Sequence, residues 1–151
     1  MTKINYIKGD ATYPQGDGIK FIIHICNDKN KWGRGFVLAL SKRWKEPEKQ
    51  YRQLKPEDRQ LGMVQLIEVE DNIIVANMIA QHDTKWINNI PPIRYEALKQ
   101  CLEMVNDAAI KFNANVHAPL LGSGLAGGDW RVIEKLIEDT MSVPVTIYDF
   151  T

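Results

Sequence analysis

Four glycines stand within seven positions, from Gly122 to Gly128, in the stretch LLGSGLAGGDW. Because an ordered glycine costs more backbone entropy than any other residue, such density indicates a sharp bend or a close approach to a ligand. A hydrophobic run precedes the stretch and a helix-like pattern follows it. A glycine turn between a strand and a helix presents backbone N–H groups at the helix N-terminus, where phosphate binds well. The chemistry that this stretch predicts is therefore phosphate binding.

Two nucleotide-binding motifs are excluded by position and composition. Residues 122–127 spell G-x-G-x-x-G, the dinucleotide fingerprint, which belongs to a first βα unit with further βαβ units after it. Only one helix-like and one strand-like segment follow residue 128, so no second nucleotide-binding half can be built. The chain also contains no G-K-[ST], the Walker signature. A phosphate-binding loop and a merely tight connection remain, and the four glycines favour the loop.

Two other segments share this context. The stretch NDKNKWGRG (27–35) follows the apolar run IIHIC and precedes a helical pattern, and Asp10 follows the first strand-like run. Because ligands of α/β proteins collect at the carboxyl ends of strands, these segments can face each other across one cleft. A carboxylate there suits the amino edge of a base such as adenine. We therefore expect a ligand the size of a nucleotide.

The elements that must position these loops are predicted from hydrophobic periodicity. Strands are expected within 4–12, 19–26, 115–121 and 143–150, and two more within 62–81, joined as a hairpin by Glu70-Asp71-Asn72. Helices are expected within 36–44, 94–112 and 129–141, with short helical pieces within 45–60. In the last long helix, one apolar face is expected to hold Val132, Ile133, Leu136, Ile137 and Met141. The pattern predicts one α/β domain over residues 1–151, a three-layer α/β/α sandwich with a mixed sheet of six to seven strands.

Composition narrows the partners. The 151 residues carry 19 basic and 19 acidic side chains, so the net charge favours neither nucleic acid nor an anionic membrane. The two cysteines form no CxxC pair and the three histidines have no metal-ligand spacing. We expect a cytoplasmic monomer without a metal or cofactor, and the N-terminus has no signal-peptide core.

Five segments taken together resemble a macro domain: YIKGDAT (6–12), HICNDKNKWGRGFVLAL (24–40), VANMIAQH (75–82), IRYEALKQCL (93–102) and VHAPLLGSGLAGGDW (116–130). The similarity covers nearly the whole chain in the same order. It is strongest to the branch of chromatin-remodeller ADP-ribose-binding domains, and extends to ADP-ribose-1″-phosphate phosphatases and terminal ADP-ribose glycohydrolases. The resemblance implies ADP-ribose or an ADP-ribosylated molecule as the partner.

The resemblance also implies a site. Adenine would be bound by Asp10 and Ala11, and the distal ribose would lie against Asn27, Trp32, Gly33 and Gly35. The diphosphate would be held, mostly by backbone donors, by Gly122, Ser123, Gly124, Leu125, Ala126, Gly127 and Gly128. Arg34 either points inward to pair with a phosphate or points outward as a solvated charge.

Candidates for catalysis are His24, Asn27 and Asp129. An imidazole at residue 24 can act as a general base or acid, with Asn27 orienting the ribose, although a buried structural histidine is the alternative. Asp129 can transfer a proton or cap the following helix, and capping is favoured. Gln81 and Ala126 stand where glycohydrolase relatives have a lysine and an aspartate, which argues against a covalent lysyl mechanism. His82 and Asp83 belong to a long polar loop that can overhang the distal ribose.

Three functions therefore stay open. The first is hydrolysis of an ADP-ribose derivative, either ADP-ribose 1″-phosphate or an ADP-ribosyl adduct, with water activated by His24 or by the ligand's own phosphate. The second is a non-catalytic reader of ADP-ribose, favoured by Gln81 and Ala126. The third, binding of a different nucleotide, is disfavoured by the breadth of the resemblance.

Overall fold

The structure is a computed structural model that describes residues 2–124 and 126–150. Its single six-stranded sheet has the order β1-β6-β5-β2-β4-β3. The strands are β1 (Ile4–Lys8), β2 (Ile19–Asn27), β3 (Val64–Glu70), β4 (Ile73–Gln81), β5 (Ala114–Pro119) and β6 (Val145–Asp149). The helices are α1 (Phe36–Arg43), α2 (Glu46–Gln53), α3 (Tyr95–Phe112) and α4 (Trp130–Thr140), with a 3₁₀ turn at Pro56–Asp58.

Only one pair of neighbouring strands in the described sheet is antiparallel. β3 and β4 run in opposite directions and are joined by residues 71–72, where Asn72 has φ 67°, a left-handed conformation that asparagine tolerates in turns. All other described pairs are parallel. The predicted hairpin and the predicted mixed sheet are therefore confirmed.

Helices cover both faces of the sheet, and the central strand β2 shows why. Its alternate side chains enter two separate hydrophobic clusters: Phe21 and Ile23 pack with α3 and α4, whereas Ile22 packs with α1 and α2. All three are fully buried, as a continuous β-branched run predicts for a strand between two layers. This confirms the three-layer sandwich.

The apolar face of α4 differs from the prediction at one residue. Ile133 and Ile137 are buried against the sheet, whereas Val132 is 41% exposed. Residues 132 and 133 lie about 100° apart on a helix, so the face that packs on the sheet is narrower than expected.

The register of β2 and β4 changes near their carboxyl ends. His24 lies opposite Asn77 and Cys26 opposite Ile79, but Asn27 lies opposite Gln81. Ala80 is therefore an extra residue in β4, and the irregularity is a β-bulge.

Parallel pairing places five of the six strands with their carboxyl ends at one edge of the sheet. Four segments leave the sheet at this edge. They are the segment that starts with Gly9-Asp10 after β1, residues 28–35 after β2, residues 82–94 after β4 and residues 120–129 after β5. Each of the loops singled out in the sequence is therefore at the same edge. Within the described residues, no helix is long and apolar enough to cross a membrane.

Candidate ligand-binding cleft

A cavity of about 270 Å³ opens at the carboxyl edge of the sheet. We call it the first cavity; it lies between the start of α1 and the loop after β5. It is lined by His24, Ile25, Arg34, Gly35, Phe36, Val37, Gln81, Pro119, Leu120, Leu121, Gly122, Gly124 and Ala126. Loop backbone and apolar side chains dominate this surface, which is typical of pockets that take a small organic ligand.

A second cavity of about 330 Å³ adjoins the first. Four residues line both cavities: Ile25, Arg34, Val37 and Gln81. The second cavity is otherwise lined by Cys26, Asn27, Lys31, Trp32, Gly33, Thr84 and Lys85. It is the more cationic of the two, since three basic side chains border it. We call the two cavities together the cleft.

The glycine loop, residues 122–128, lies along one side of the first cavity. Its glycines are needed for two different reasons. A Cβ on Gly122 would lie 2.7 Å from Ile93 Cδ1, and a Cβ on Gly128 would lie 2.5 Å from the Gly122 carbonyl oxygen. Gly122 and Gly127 also have φ +75°, which favours glycine. These three glycines are required by the fold itself.

Gly124 is different, because a Cβ there would meet nothing within 4 Å. The residue is exposed and lines the first cavity, so its missing side chain leaves room beside the backbone rather than relieving a clash. Ser123 donates its hydroxyl to the Leu120 carbonyl at 2.8 Å and so braces the turn. Leu125, predicted as part of the phosphate loop, lies outside the described residues.

The loop after β2 is organised by Asn27. Its Oδ1 accepts from the backbone N–H groups of Lys29 and Lys31, at 2.9 and 3.1 Å, and its Nδ2 donates to the Lys31 carbonyl at 2.7 Å. The Tyr51 hydroxyl donates to the carbonyl and Oδ1 of Asn27. Asn27 lines the second cavity, but the main use of its amide is to hold the loop in shape.

Several further residues of this loop border the cleft. Trp32 is 5% exposed, packs its ring against His24 and Tyr51, and donates from Nε1 to Ser41 Oγ at 2.8 Å. It is therefore a wall of the second cavity. Gly33 has open space where a Cβ would be, and Gly35, at φ 79°, is the N-cap of α1. Within the described residues, the exposed Arg34 has no hydrogen bond or ion pair, and it lies at the junction of the cavities.

His24 is buried in the wall of the first cavity. Its Nε2 lies 2.5 Å from Asn77 Oδ1, and its ring packs against Trp32 and Phe36. Burial lowers the pKa of His24 to about 4, although the bond to Asn77 acts in the opposite direction. Its Nδ1 has no hydrogen-bond partner among the described residues. The residue is thus half satisfied, which neither of the sequence interpretations anticipated.

Asp10 and Ala11 follow β1 at the same edge of the sheet. Asp10 Oδ1 accepts from the backbone N–H and the hydroxyl of Thr12, at 2.9 and 2.8 Å. Neither Asp10 nor Ala11 lines the first or the second cavity. Strand β6 separates β1 from β5, so the strand that leads to Asp10 lies about 10 Å from the strand that leads into the glycine loop.

Asp129 is the N-cap of α4. Its Oδ1 accepts from the Arg131 backbone N–H at 2.9 Å, and its carboxylate also pairs with the Arg131 side chain, which lowers the pKa of Asp129. Asp129 lines neither cavity. The capping role is therefore confirmed, whereas the catalytic role stays a prediction with no contact to support it.

The loop after β4 is tied to the loop after β2. His82 Nδ1 lies 2.8 Å from Asp28 Oδ2, and Lys31 Nζ lies 2.6 Å from Asp83 Oδ1. These contacts bring the two loops together along the second cavity, but neither His82 nor Asp83 lines it.

Sequence reasoning missed Asn77 altogether. It is a fully buried asparagine within the apolar part of β4, and its register partner is His24. The signal was present, because a polar residue interrupts the apolar run VANMIA just as His24 interrupts IIHIC. Within the described residues, no three His, Cys, Asp or Glu side chains are grouped so that they could hold a metal ion.

Solved structures of high sequence identity match this fold over nearly the full chain. A protein of unknown function from Bacteroides thetaiotaomicron is 50% identical, with a TM-score of 0.96 and 98% of each chain covered. A macrodomain protein from Streptomyces coelicolor is 46% identical, with a TM-score of 0.86, and the match covers 99% of this chain and 100% of that one. No protein-family model matches the chain. The identity and coverage of the Streptomyces match show that the chain belongs to the macrodomain family.

Curated relatives carry more specific names. The mouse chromodomain-helicase-DNA-binding protein 1-like is 36% identical over 162 residues, covering 99% of this chain but only 18% of the relative. The chain thus spans about a fifth of that protein. The ADP-ribose 1″-phosphate phosphatase of Lodderomyces elongisporus is 24% identical, covering 96% of this chain and 97% of the relative. At 16% identity and a TM-score of 0.77, the fold is also shared with Thermosipho africanus DarTG, whose structure is a complex with ADP-ribose; the match covers 97% of this chain and 41% of that one.

Proposed function

We propose that this macrodomain binds ADP-ribose in the cleft and hydrolyses an ADP-ribose derivative, either ADP-ribose 1″-phosphate or an ADP-ribosyl adduct. The observation that carries the proposal is the pair of adjoining cavities at the carboxyl edge of the sheet, between a glycine loop and the start of a helix. The names of the yeast phosphatase and of the ADP-ribose complex support the choice of ligand.

The chemistry of the lining matches the parts of ADP-ribose. The open backbone at Gly124 and the start of α1 at Gly35 suit the diphosphate, because helix N-termini and exposed N–H groups attract anions. Arg34, unpaired within the described residues, supplies a guanidinium that can pair with a phosphate. Asp10, about two strands away, is at a suitable distance for adenine. The distal ribose extends from the first cavity, beside His24, into the second cavity.

For hydrolysis of ADP-ribose 1″-phosphate, water attacks phosphorus, the bond from phosphorus to the ribose oxygen breaks, and that oxygen takes up a proton. Among the described residues that line the first cavity, His24 and Arg34 are the only ones with titratable side chains. A pKa of about 4 makes His24 a weak general base near neutral pH. We therefore assign activation of the water to the ligand's own phosphate, with His24 as a neutral hydrogen-bond partner.

A second candidate function is a reader that binds ADP-ribose without cutting it. The observation in its favour is that Gln81 and Ala126, which line the first cavity, put an amide and a methyl group where hydrolysis by lysine and aspartate would need charge. The match covers only 18% of the mouse chromodomain-helicase-DNA-binding protein 1-like, so the activity of that whole protein is not part of this proposal. A monomer in the cytoplasm stays a prediction.

Calorimetric titration with ADP-ribose tests the shared premise, and no heat of binding at ~100 μM ligand would contradict it. Two variants locate the ligand. Gly124→Val and Gly33→Val both add a side chain where a Cβ meets open space and φ is outside the left-handed region, so both are expected to fold. Gly124 lines the first cavity and Gly33 lines the second, so each variant adds bulk at the edge of one cavity.

If the assignment is right, Gly124→Val abolishes ADP-ribose binding, whereas Gly33→Val weakens only ligands that carry the distal ribose and leaves binding of ADP unchanged. Phosphate release from ADP-ribose 1″-phosphate, and ADP-ribose release from glutamate-, aspartate- and serine-linked ADP-ribosyl proteins, then separate the hydrolase from the reader. Binding without any release would establish the reader.

A further inference from the structure

His24 and Asn77 form a buried polar pair between two adjacent strands. They are register partners in the parallel pairing of β2 with β4, and both are almost completely buried. His24 Nε2 and Asn77 Oδ1 lie 2.5 Å apart. The other polar neighbour of Nε2 is Cys26 Sγ at 3.8 Å, a much weaker partner. The bond to Asn77 therefore determines which ring nitrogen carries the proton.

The orientation of the Asn77 amide is fixed from its other side. Its Nδ2 donates to the Pro47 carbonyl at 3.1 Å and to Gln65 Oε1 at 3.2 Å. A backbone carbonyl can only accept a hydrogen bond, so the amide nitrogen must face Pro47 and the amide oxygen must face His24. Since that oxygen can only accept, the proton belongs on His24 Nε2 and the lone pair on Nδ1.

The lone pair of Nδ1 has no donor in the described protein. The atom is buried and has no hydrogen-bond partner among the described residues, while the ring of His24 lines the first cavity. Trp32 and Phe36 pack against the ring and hold its plane. An unsatisfied buried acceptor costs free energy, and because His24 borders the first cavity, a ligand or an ordered water in that cavity can supply the missing donor.

We propose that Asn77 is a positioning residue that holds His24 as the neutral Nε2–H tautomer, so that Nδ1 accepts a hydrogen bond from a sugar hydroxyl of the ligand in the first cavity. The identity of the hydroxyl as one of ADP-ribose rests on the proposed function; the tautomer does not. Burial of the imidazole acts in the same direction, because a pKa lowered to about 4 keeps His24 neutral at physiological pH.

Nitrogen-15 NMR of the imidazole rings in the wild-type protein tests this directly. At pH 7 we expect His24 to show a protonated Nε2 and an unprotonated Nδ1, and saturating ADP-ribose to move the Nδ1 signal in the direction of hydrogen-bond acceptance. His117 is the internal reference, because both its ring nitrogens contact partners within the protein, Tyr148 and Asn115, and it lines neither cavity. An Nδ1–H tautomer or an imidazolium at His24 would overturn the proposal.

The ligand arm separates this inference from the proposed function. If ADP-ribose moves no signal anywhere, the proposed function fails and the role of Nδ1 toward ADP-ribose fails with it, whereas the tautomer stands on the ligand-free spectrum. If signals of other cavity residues move but Nδ1 of His24 does not, ADP-ribose binds and the present inference is wrong.

A matched pair of variants adds a binding readout. Asn77→Asp places a carboxylate beside Nε2 and favours an imidazolium, whose Nδ1 donates instead of accepting. We expect a protonated Nδ1 at pH 7 and an ADP-ribose affinity reduced by about tenfold. Gln65→Met leaves the Pro47 carbonyl to orient Asn77, so both the tautomer and the affinity are expected to match the wild type. If Asn77→Asp carries a charged His24 and still binds ADP-ribose with unchanged affinity, the role of His24 Nδ1 in binding is contradicted. If that variant does not fold, the wild-type spectrum still decides the tautomer.

Discussion

Trp86 lies against Gly127 so closely that a Cβ on the glycine would come within 2.6 Å of Trp86 Cζ2. Pro91, from the same segment as the tryptophan, would be 2.8 Å from that Cβ. The segment after β4 therefore rests on the glycine loop, and the contact is possible only because residue 127 has no side chain.

The contact leads to a prediction about two glycines in one loop. Gly127→Ala meets both the clash with Trp86 and a φ of +75°, whereas Gly124→Ala meets neither. We expect Gly127→Ala to lower the melting temperature by at least about 3 °C and Gly124→Ala to leave it within about 1 °C of the wild type. Thermal melts of the three proteins at equal concentration check this. Equal melting temperatures for the two variants would mean that the segment does not rest on Gly127.

Acid should destabilise the protein before its carboxylates titrate. Burial lowers the pKa of both His24 and His117 from 6.5 to about 4. Between these values the unfolded chain binds protons that the folded chain does not, so the free energy of unfolding falls as the pH is lowered. The expected slope is roughly 1.4 kcal/mol per pH unit for each histidine.

His24→Gln tests the contribution of one histidine to that slope. Glutamine keeps an N–H that can donate to Asn77, but it does not titrate. Denaturant unfolding between pH 6.5 and 4.5 should show a slope reduced to about half, since His117 remains. An unchanged slope would mean that His24 is protonated in the folded state at these pH values.

Asp129 offers a test that separates capping from proton transfer. Asn is as good an N-cap as Asp, whereas Ala is a poor one. We expect Asp129→Asn to keep the melting temperature near that of the wild type and Asp129→Ala to lower it by about 3 °C. In the turnover assays, Asp129→Asn should be as active as the wild type, because the residue lines neither cavity. Loss of turnover in a stable Asp129→Asn variant would restore the catalytic role.

Asp10 should affect only ligands that contain adenine. Asp10→Asn retains an oxygen for Thr12, so the turn is preserved, but the carboxylate charge toward an amino group is lost. We expect ADP-ribose to bind about tenfold more weakly. Ribose 5-phosphate, which has no base, is the control ligand, and its affinity should not change. An equal loss for both ligands would indicate damage to the loop instead of a lost contact with adenine.

Hydrophobic periodicity was sufficient for the fold, because β2 is a nearly continuous apolar run, β3 and β4 form a hairpin, and β1 largely alternates apolar and polar residues. The two-sided burial of Phe21 and Ile22 could be predicted from β-branching and length. Val132 could not be placed correctly, since the pattern gives the centre of a helix face but not its width. That width depends on how the helix packs against the sheet.

The site was harder to predict, because residue type does not reveal partners. Glycine density indicated a ligand, but at Gly122, Gly127 and Gly128 a side chain is excluded by neighbouring atoms. Among the described glycines of the loop, only Gly124 has open space where a Cβ would be. The His24–Asn77 pair joins residues 53 positions apart and depends on strand register. A sequence without the register cannot show such a pair.

The bulge at Ala80 has a consequence for how this protein can change. On the N-terminal side of the bulge, continuous pairing keeps His24 opposite Asn77. On its C-terminal side, Asn27 pairs with Gln81 in a register shifted by one residue. The segments that follow residues 27 and 81 begin beyond the pairing that holds the buried pair, so we expect loops of a different size to be tolerated there while that pair stays in place. Substrate preference could then diversify among descendants through loop exchange alone, on a sheet that never has to be rebuilt.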